Sequence, residues 1–396
     1  MSPERALRDL LNRRLLVCCG SGGVGKTTVA AALALRAACE GRRVLVLTID
    51  PARRLADSLG VGPLGNDPVP IPPQRLAALG AAPGGELWAL MLDSRRTFDD
   101  LVTRFSPTSE IRERILTNRY YQQISGSMVG SQEYMAMERL LDVREQGRFD
   151  LIVLDTPPSR HALDFLRAPR RLRGVLQDGV LSWLTNPSSF LMRRIGRRLG
   201  SGGGSVLQIL EKVLGFSMIG DLSEFVMSFK DLLTGFNLRA AKTDALLHDP
   251  ETFFVLVTSP RRLAMTEAAF FYAQLAKNAL NFGGFIVNRT IPVPGSGPER
   301  EGVERLSTFD ADAWRREFPE APPPGLSLRD YHAIVERLRE RLRMMLELGE
   351  LDRANLSWLK EKLSAEENFF QIPEMPTDVH DLTALFRLGR MMEFVD

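Results

Sequence analysis

Leu15-Leu16-Val17-Cys18-Cys19-Gly20-Ser21-Gly22-Gly23-Val24-Gly25-Lys26-Thr27-Thr28-Val29 joins a short apolar run to the phosphate-loop pattern G-x-x-x-x-G-K-T. Leu15 to Cys19 predicts a buried strand, and the alanine- and leucine-rich run Thr28 to Arg36 predicts the helix that the loop opens. Successive backbone N–H groups must turn inward around phosphate oxygens, which glycines permit and Cβ atoms obstruct. The helix N-terminus adds its partial positive charge. Lys26 is placed to reach β- and γ-phosphates and the Thr27 hydroxyl to ligand Mg²⁺. A glycine-rich turn that fits by chance would not bring strand, loop, Lys-Thr and helix in this order. The stretch predicts binding of a nucleoside triphosphate.

The 396 residues suffice for one large α/β domain with insertions. Lys and Arg number 51 against 49 Asp and Glu, a formal charge of +2, so bulk electrostatics argue for no nucleic-acid partner. Three cysteines, Cys18, Cys19 and Cys39, are too few and too clustered for a disulfide framework and suit a reducing, cytoplasmic compartment. No segment has the apolar length of a membrane span, and residues 1–16 read as a charged helical lead rather than a signal peptide. A peripheral visit to a membrane surface stays open.

Beyond the loop, Arg43 to Asp50 and Glu86 to Asp93 predict further strands, and Asp150 to Asp155 is the clearest buried strand of all. The order strand, phosphate loop, helix, strand begins a doubly wound, mostly parallel α/β sheet. Thr252 to Thr258, Gly284 to Asn288 and Phe369 to Ile372 continue it, while Val61 to Gly85 reads as a Pro- and Gly-rich loop. Arg167 to Lys242 carries no strand and a wide apolar stripe from Leu207 to Leu233. That stripe reads as the core of a helical layer or as a groove for an apolar ligand or peptide. The organisation expected is an ATPase core over residues 1–166 and 243–396, with a helical subdomain inserted at 167–242 and a charged helical excursion at about 295–366. A terminal helix is expected from Val379 to Glu393. The phosphate-loop pattern occurs once, which predicts one nucleotide site.

Two strands end in acids, as phosphate-loop chemistry requires, because Mg²⁺ takes hard oxygen ligands beside the phosphates. Asp155 fits the Walker B role, and Asp50 opens a second loop where a γ-phosphate would order the chain.

The block G-x-G-G-V-G-K-T-T, the D-P-A-x-x-L-x-D block at Asp50 to Asp57 and D-T-x-P-x-x-H-x-L-x-F-L at Asp155 to Leu166 resemble the deviant-P-loop (SIMIBI) ATPases. Within that class they resemble the arsenite-efflux pump ATPase and the guided-entry ATPase that targets tail-anchored membrane proteins. Bacterial, including actinobacterial, anion-transporting or arsenite-type ATPases look most similar. Val287-Asn288-Arg289 and Ile372-Pro373-x-Met375-Pro376 resemble that family's late adenine-contacting segments. The resemblance implies that Gly20, Ser21, Gly22, Gly23, Val24, Gly25, Lys26, Thr27 and Thr28 bind phosphates. It implies Mg²⁺ at Thr27 with Asp50 and Asp155 in support, Asp57 and Lys26 as catalytic residues, Asn288 on adenine, and Ile372 and Pro373 walling the base. His161 would couple the γ-phosphate to the helical layer.

Three departures from the family pattern matter. Family members carry a lysine after the first loop glycine, which reaches a partner's phosphates across a dimer interface; here that position is Ser21. Losing one such charge costs on the order of three powers of ten in rate, by analogy with arginine fingers. Arg53 or Arg54 would have to replace it, or a lysine-bearing paralogous partner would. No cysteine lies between Pro292 and Glu366, so no structural zinc is expected. The three cysteines cluster at the phosphate end, which argues against arsenite as effector. The expectation is an ATP- and Mg²⁺-dependent ATPase, homodimeric or heterodimeric, whose nucleotide state governs an apolar peptide, lipid or membrane-protein cargo. The rival readings are a slow regulatory switch and, less favoured, the motor of an anion or arsenite pump.

Overall fold

The computed structural model describes residues 3–50, 54–119, 121–122, 131–157, 235–293, 297–318, 325–363 and 367–394. In chain order the elements are α1 (Pro3–Leu11), β1 (Leu15–Gly20), α2 (Lys26–Cys39), β2 (Arg43–Thr48), α3 (Arg54–Leu59), β3 (Val69–Pro70), α4 (Pro73–Ala77), β4 (Glu86–Met91), α5 (Ser94–Phe105), α6 (Ser109–Thr117), α7 (Ser131–Glu145) and β5 (Leu151–Asp155). A helix over residues 235–247, α8, follows. Then come β6 (Thr252–Thr258), α9 (Arg262–Lys277), β7 (Phe282–Thr290), α10 (Pro298–Thr308), α11 (Ala311–Glu317), α12 (Leu328–Lys362), β8 (Phe369–Pro373), α13 (Leu382–Arg390) and β9 (Glu393–Phe394).

The strands form one nine-stranded sheet in the order β3-β4-β2-β5-β1-β6-β7-β8-β9. Every neighbouring pair is parallel except β3–β4 and β8–β9 at the two edges. All six residues of β1 and all five of β5 are buried, the continuous apolar run of a strand covered on both faces. One core packs α1, α2 and α13 against the sheet, and a second packs α7, α9 and part of α12 against the other face. The alanines of α2 let α13 approach closely: a Cβ on Gly389 would lie 3.3 Å from the Ala32 carbonyl oxygen. The Arg36 guanidinium donates to the Gly389 carbonyl at 2.8 Å. On the opposite face α8 is tied to α7 through Arg239, only 5% exposed, which donates to Glu138 and, at 2.8 Å, to Asp142 Oδ1.

The doubly wound, mostly parallel α/β sheet expected from the sequence is present. Two local readings are corrected. Val61 to Gly85 is not loop throughout: Val69–Pro70 pairs antiparallel with β4, and Pro72-Pro73 starts the short helix α4. Proline at the first helical position costs no hydrogen bond, so a proline-rich stretch can open a helix. The terminal helix spans only Leu382–Arg390 because the Asp381 side chain accepts from Ala384 N and caps it there. Of the helical subdomain expected over 167–242, all but residues 235–242 lies outside the described residues, as do His161 and Arg53.

Candidate functional site

The loop between β1 and α2 lies at the carboxyl ends of the central strands, where open α/β sheets place their ligands. Its geometry depends on two glycines. Gly20 closes β1 in register with Val257, and a Cβ there would sit 2.0 Å from the Val257 carbonyl oxygen. Gly25 caps α2 at φ +91°, and its Cβ would meet Asn288 Nδ2 at 2.4 Å. That amide donates to the Val24 carbonyl at 2.9 Å, so the end of β7 latches the loop from the side.

Parallel register brings the metal-site candidates together. Asp155 stands opposite Cys18 on β1 and Thr48 on β2. Its Oδ2 accepts from the Thr27 hydroxyl at 2.7 Å and the Thr48 hydroxyl at 2.9 Å. Its Oδ1 is buried with no partner among the described residues. Burial pushes the Asp155 carboxyl up to about 6, against the downward pull of the Thr27 and Thr48 hydroxyls and of Lys26. The Lys26 ammonium donates to the Ser21 carbonyl at 2.8 Å, and burial lowers its pKa, opposed chiefly by Asp155. An orphaned carboxylate oxygen beside a threonine hydroxyl is a hard-oxygen pair suited to Mg²⁺. Among the described residues no group of three or more His, Cys, Asp or Glu side chains is arranged to hold a metal ion by itself.

A cleft of about 620 Å³ opens above this floor. It is lined by Gly22, Gly23, Gly25, Lys26, Thr27, Thr28, Asp50 and Thr156, together with Arg54, Asn288, Arg289, Pro373, Met375 and the stretch Thr377 to His380. Ile372 is fully buried in the core beneath Pro373, and Gly20, Ser21, Val24 and Asp155 lie behind the lining. Asp57 sits on α3, exposed and outside the cleft lining. Thr48 and His380 carry no role in the sequence reading, and Arg289 enters there only within the segment Val287-Asn288-Arg289 that resembles the family's adenine-contacting stretch. Thr48 was findable, since a polar residue ending a strand two positions before Asp50 falls level with Asp155 once both strands are set parallel.

The cysteines are inert by burial. The Cys18 thiol is held well above its usual range, that of Cys19 is pushed up to about 12 and that of half-buried Cys39 to about 11. A raised pKa leaves almost no thiolate at neutral pH. Iodoacetamide at pH 8 is therefore expected to label Cys39 slowly and Cys18 and Cys19 only after unfolding, read by peptide mass spectrometry. Labelling of either β1 cysteine in the native protein would mean that β1 opens.

A family model described as "Anion-transporting ATPase" matches residues 13–300. The "ATPase ASNA1 homolog" of Trypanosoma cruzi is 26% identical over 382 residues, covering 89% of this chain and 97% of that protein. The "ATPase asna-1" of Caenorhabditis elegans is 24% identical over 305 residues, 73% of this chain and 78% of the relative. The "ATPase get3" of Aspergillus terreus is 29% identical over 234 residues, 58% and 64% respectively. Among the described residues no helix is long and apolar enough to cross a membrane.

Proposed function

The chain belongs to the anion-transporting ATPase family, and on that footing we propose that it is a Mg²⁺-dependent nucleotide switch. ATP is hydrolysed to ADP and phosphate in the cleft above the phosphate loop. The nucleotide state sets the grip of the helical layer, expected over 167–242, on an apolar peptide, lipid or membrane-protein cargo.

The observation that carries the reading is Asp155, buried between two threonine hydroxyls with one oxygen unpartnered. Thr27 and Asp155 would hold Mg²⁺, Asp155 and Asp50 through water, and the ion when bound would neutralise charge on the phosphate oxygens. Lys26 would exchange the Ser21 carbonyl for the β- and γ-phosphates. The backbone N–H groups from Gly22 to Thr28 would cradle the chain of phosphates. Asn288 and Pro373 would face the adenine. Asp57 orients the attacking water only if α3 moves inward when nucleotide binds, since it is exposed here. Water is the nucleophile, so catalysis is positioning and electrostatics.

The test is phosphate release by the purified chain with and without EDTA, beside the variant Asp155→Asn. The variant is expected to lose about tenfold to a hundredfold in kcat, the scale of a residue that supports a metal ion from its outer shell. In wild type the Mg²⁺ requirement should climb as pH falls through about 6, because the carboxyl takes up a proton before it can serve a cation. Turnover unaffected by EDTA, or full activity in Asp155→Asn, would sink the assignment.

A second reading is favoured by Ser21, whose hydroxyl is buried and carries no charge where relatives of this class place a lysine. On it the protein is a slow switch, or the asymmetric half of a dimer whose lysine-bearing partner completes the site. Native mass spectrometry with ATP and Mg²⁺, on protein drawn from its own host, separates a homodimer from such a pair.

A further inference from the structure

β7 does not end as a regular strand. Its pairing with β8 shifts register between Asn288 and Thr290, and the residue at the shift, Arg289, has φ +64°. Among the described residues only Ala279 shares a positive φ without being glycine. A long side chain is held in the left-handed region by its surroundings, and such strain gathers where a structure is put to use. Here the clamps are visible on both sides. Asn288 is fixed to the phosphate loop through Val24, while the Thr290 hydroxyl donates to Ile372 and the Thr290 carbonyl accepts from Glu374 N at 2.9 Å.

The outcome of the bulge is the direction of one side chain. Asn288 and Thr290 are 5% and 7% exposed, whereas Arg289 between them is exposed and lines the cleft. A bulge re-aims a side chain in this way. The guanidinium has no hydrogen bond or ion pair to any described residue, although Glu374 and Asp378 line the same cleft. Arginine's planar fork matches phosphate oxygens two at a time, and a nucleoside triphosphate brings its charge on those oxygens. The residue beside it in the chain touches the loop that cradles them.

We propose that Arg289 binds the polyphosphate chain of the nucleotide from within the same subunit, supplying part of the positive charge that Ser21 does not. The inference rests on the cleft being the ATP site. It makes Arg289 a substrate-binding residue placed by the strand bulge rather than by the phosphate loop.

The backbone itself selects the probe. Arg289→Gly removes the guanidinium and is at ease at φ +64°, so fold and charge are tested apart. Calorimetric titrations with Mg²⁺ would compare a slowly hydrolysed ATP analogue and inorganic tripolyphosphate on wild type, Arg289→Gly and Arg289→Lys. The glycine variant should keep the wild-type melting midpoint and bind both ligands about tenfold to a hundredfold more weakly, the scale of a charge-assisted bidentate contact. The lysine variant should fall between. Undiminished affinity in Arg289→Gly would overturn the proposal and leave the bulge a matter of shape. Weaker ATP-analogue binding with unchanged tripolyphosphate binding would also overturn it, by moving the contact to the base or ribose. A wild-type protein that bound neither ligand would instead bring down the reading of the cleft, and the inference with it.

Discussion

Lys26→Ala is expected to cut kcat for ATP hydrolysis by about three powers of ten, because it deletes a fixed charge aimed at the phosphates in a water-poor site. The same substitution should leave the nucleotide-free protein as stable as wild type or more so. Lys26 is 8% exposed, burial lowers its pKa, and the ammonium donates to the Ser21 carbonyl at 2.8 Å. Desolvating an ammonium is costly, so taking it away relieves the fold while disabling the chemistry. Phosphate release and thermal melting, with and without ATP, read both halves. The wild type should gain a higher midpoint with nucleotide and the variant should not. A variant keeping more than about a tenth of the rate would mean that Lys26 is not the principal phosphate charge.

Gly20→Ala should act the opposite way, on stability before chemistry. The added methyl would stand 2.0 Å from the Val257 carbonyl oxygen and 3.1 Å from its carbon. Those are backbone atoms of β6, which is itself held by β7 on its far side, so they cannot rotate aside as a side chain would. Overpacking a rigid neighbour costs about 1–3 kcal/mol and more where backbone must shift, so a loss of at least ~3 kcal/mol is expected. Chemical denaturation measures it. Gly23→Ala is the control: its Cβ meets nothing within 4 Å, and only its φ of +78° resists, so roughly 1 kcal/mol should go. Equal losses in the two variants would mean that conformational strain, not the contact with β6, governs the loop.

The sheet was legible because its strands are buried on both faces and therefore read as unbroken apolar runs. Thr252–Thr258 carries its pattern from end to end, and β1, β2, β4 and β5 begin or end within two residues of where the apolar runs do. The edges were not legible. Val69–Pro70 and Glu393–Phe394 are two residues long, too short to show a period of two, and they exist because a neighbouring strand pairs with them. The phosphate end of the candidate cleft was legible for a different reason: Gly25, Lys26 and Thr27 are adjacent in sequence and their spacing is the geometry. Thr48 reaches Asp155 by strand register, and Arg289 and His380 reach the cleft by a bulge and by the return of the C-terminal segment, so what places them is pairing between distant segments rather than local spacing. Asn288 was picked out for an adenine, yet the contact visible here is to the loop itself.

The packing of α13 on α2 has a consequence for how the protein comes into being. The phosphate loop, residues 20–28, leaves the ribosome more than 340 residues ahead of the opposite wall of the cleft, Pro373 to Leu388. Gly389 must arrive before Arg36 has its carbonyl acceptor there and before α2 is covered. Synthesis is vectorial and slow, at about 5–20 residues each second, so the finished floor waits many seconds for its wall. A product that stops short of α13 therefore carries the phosphate loop without the cleft wall that the later segment supplies.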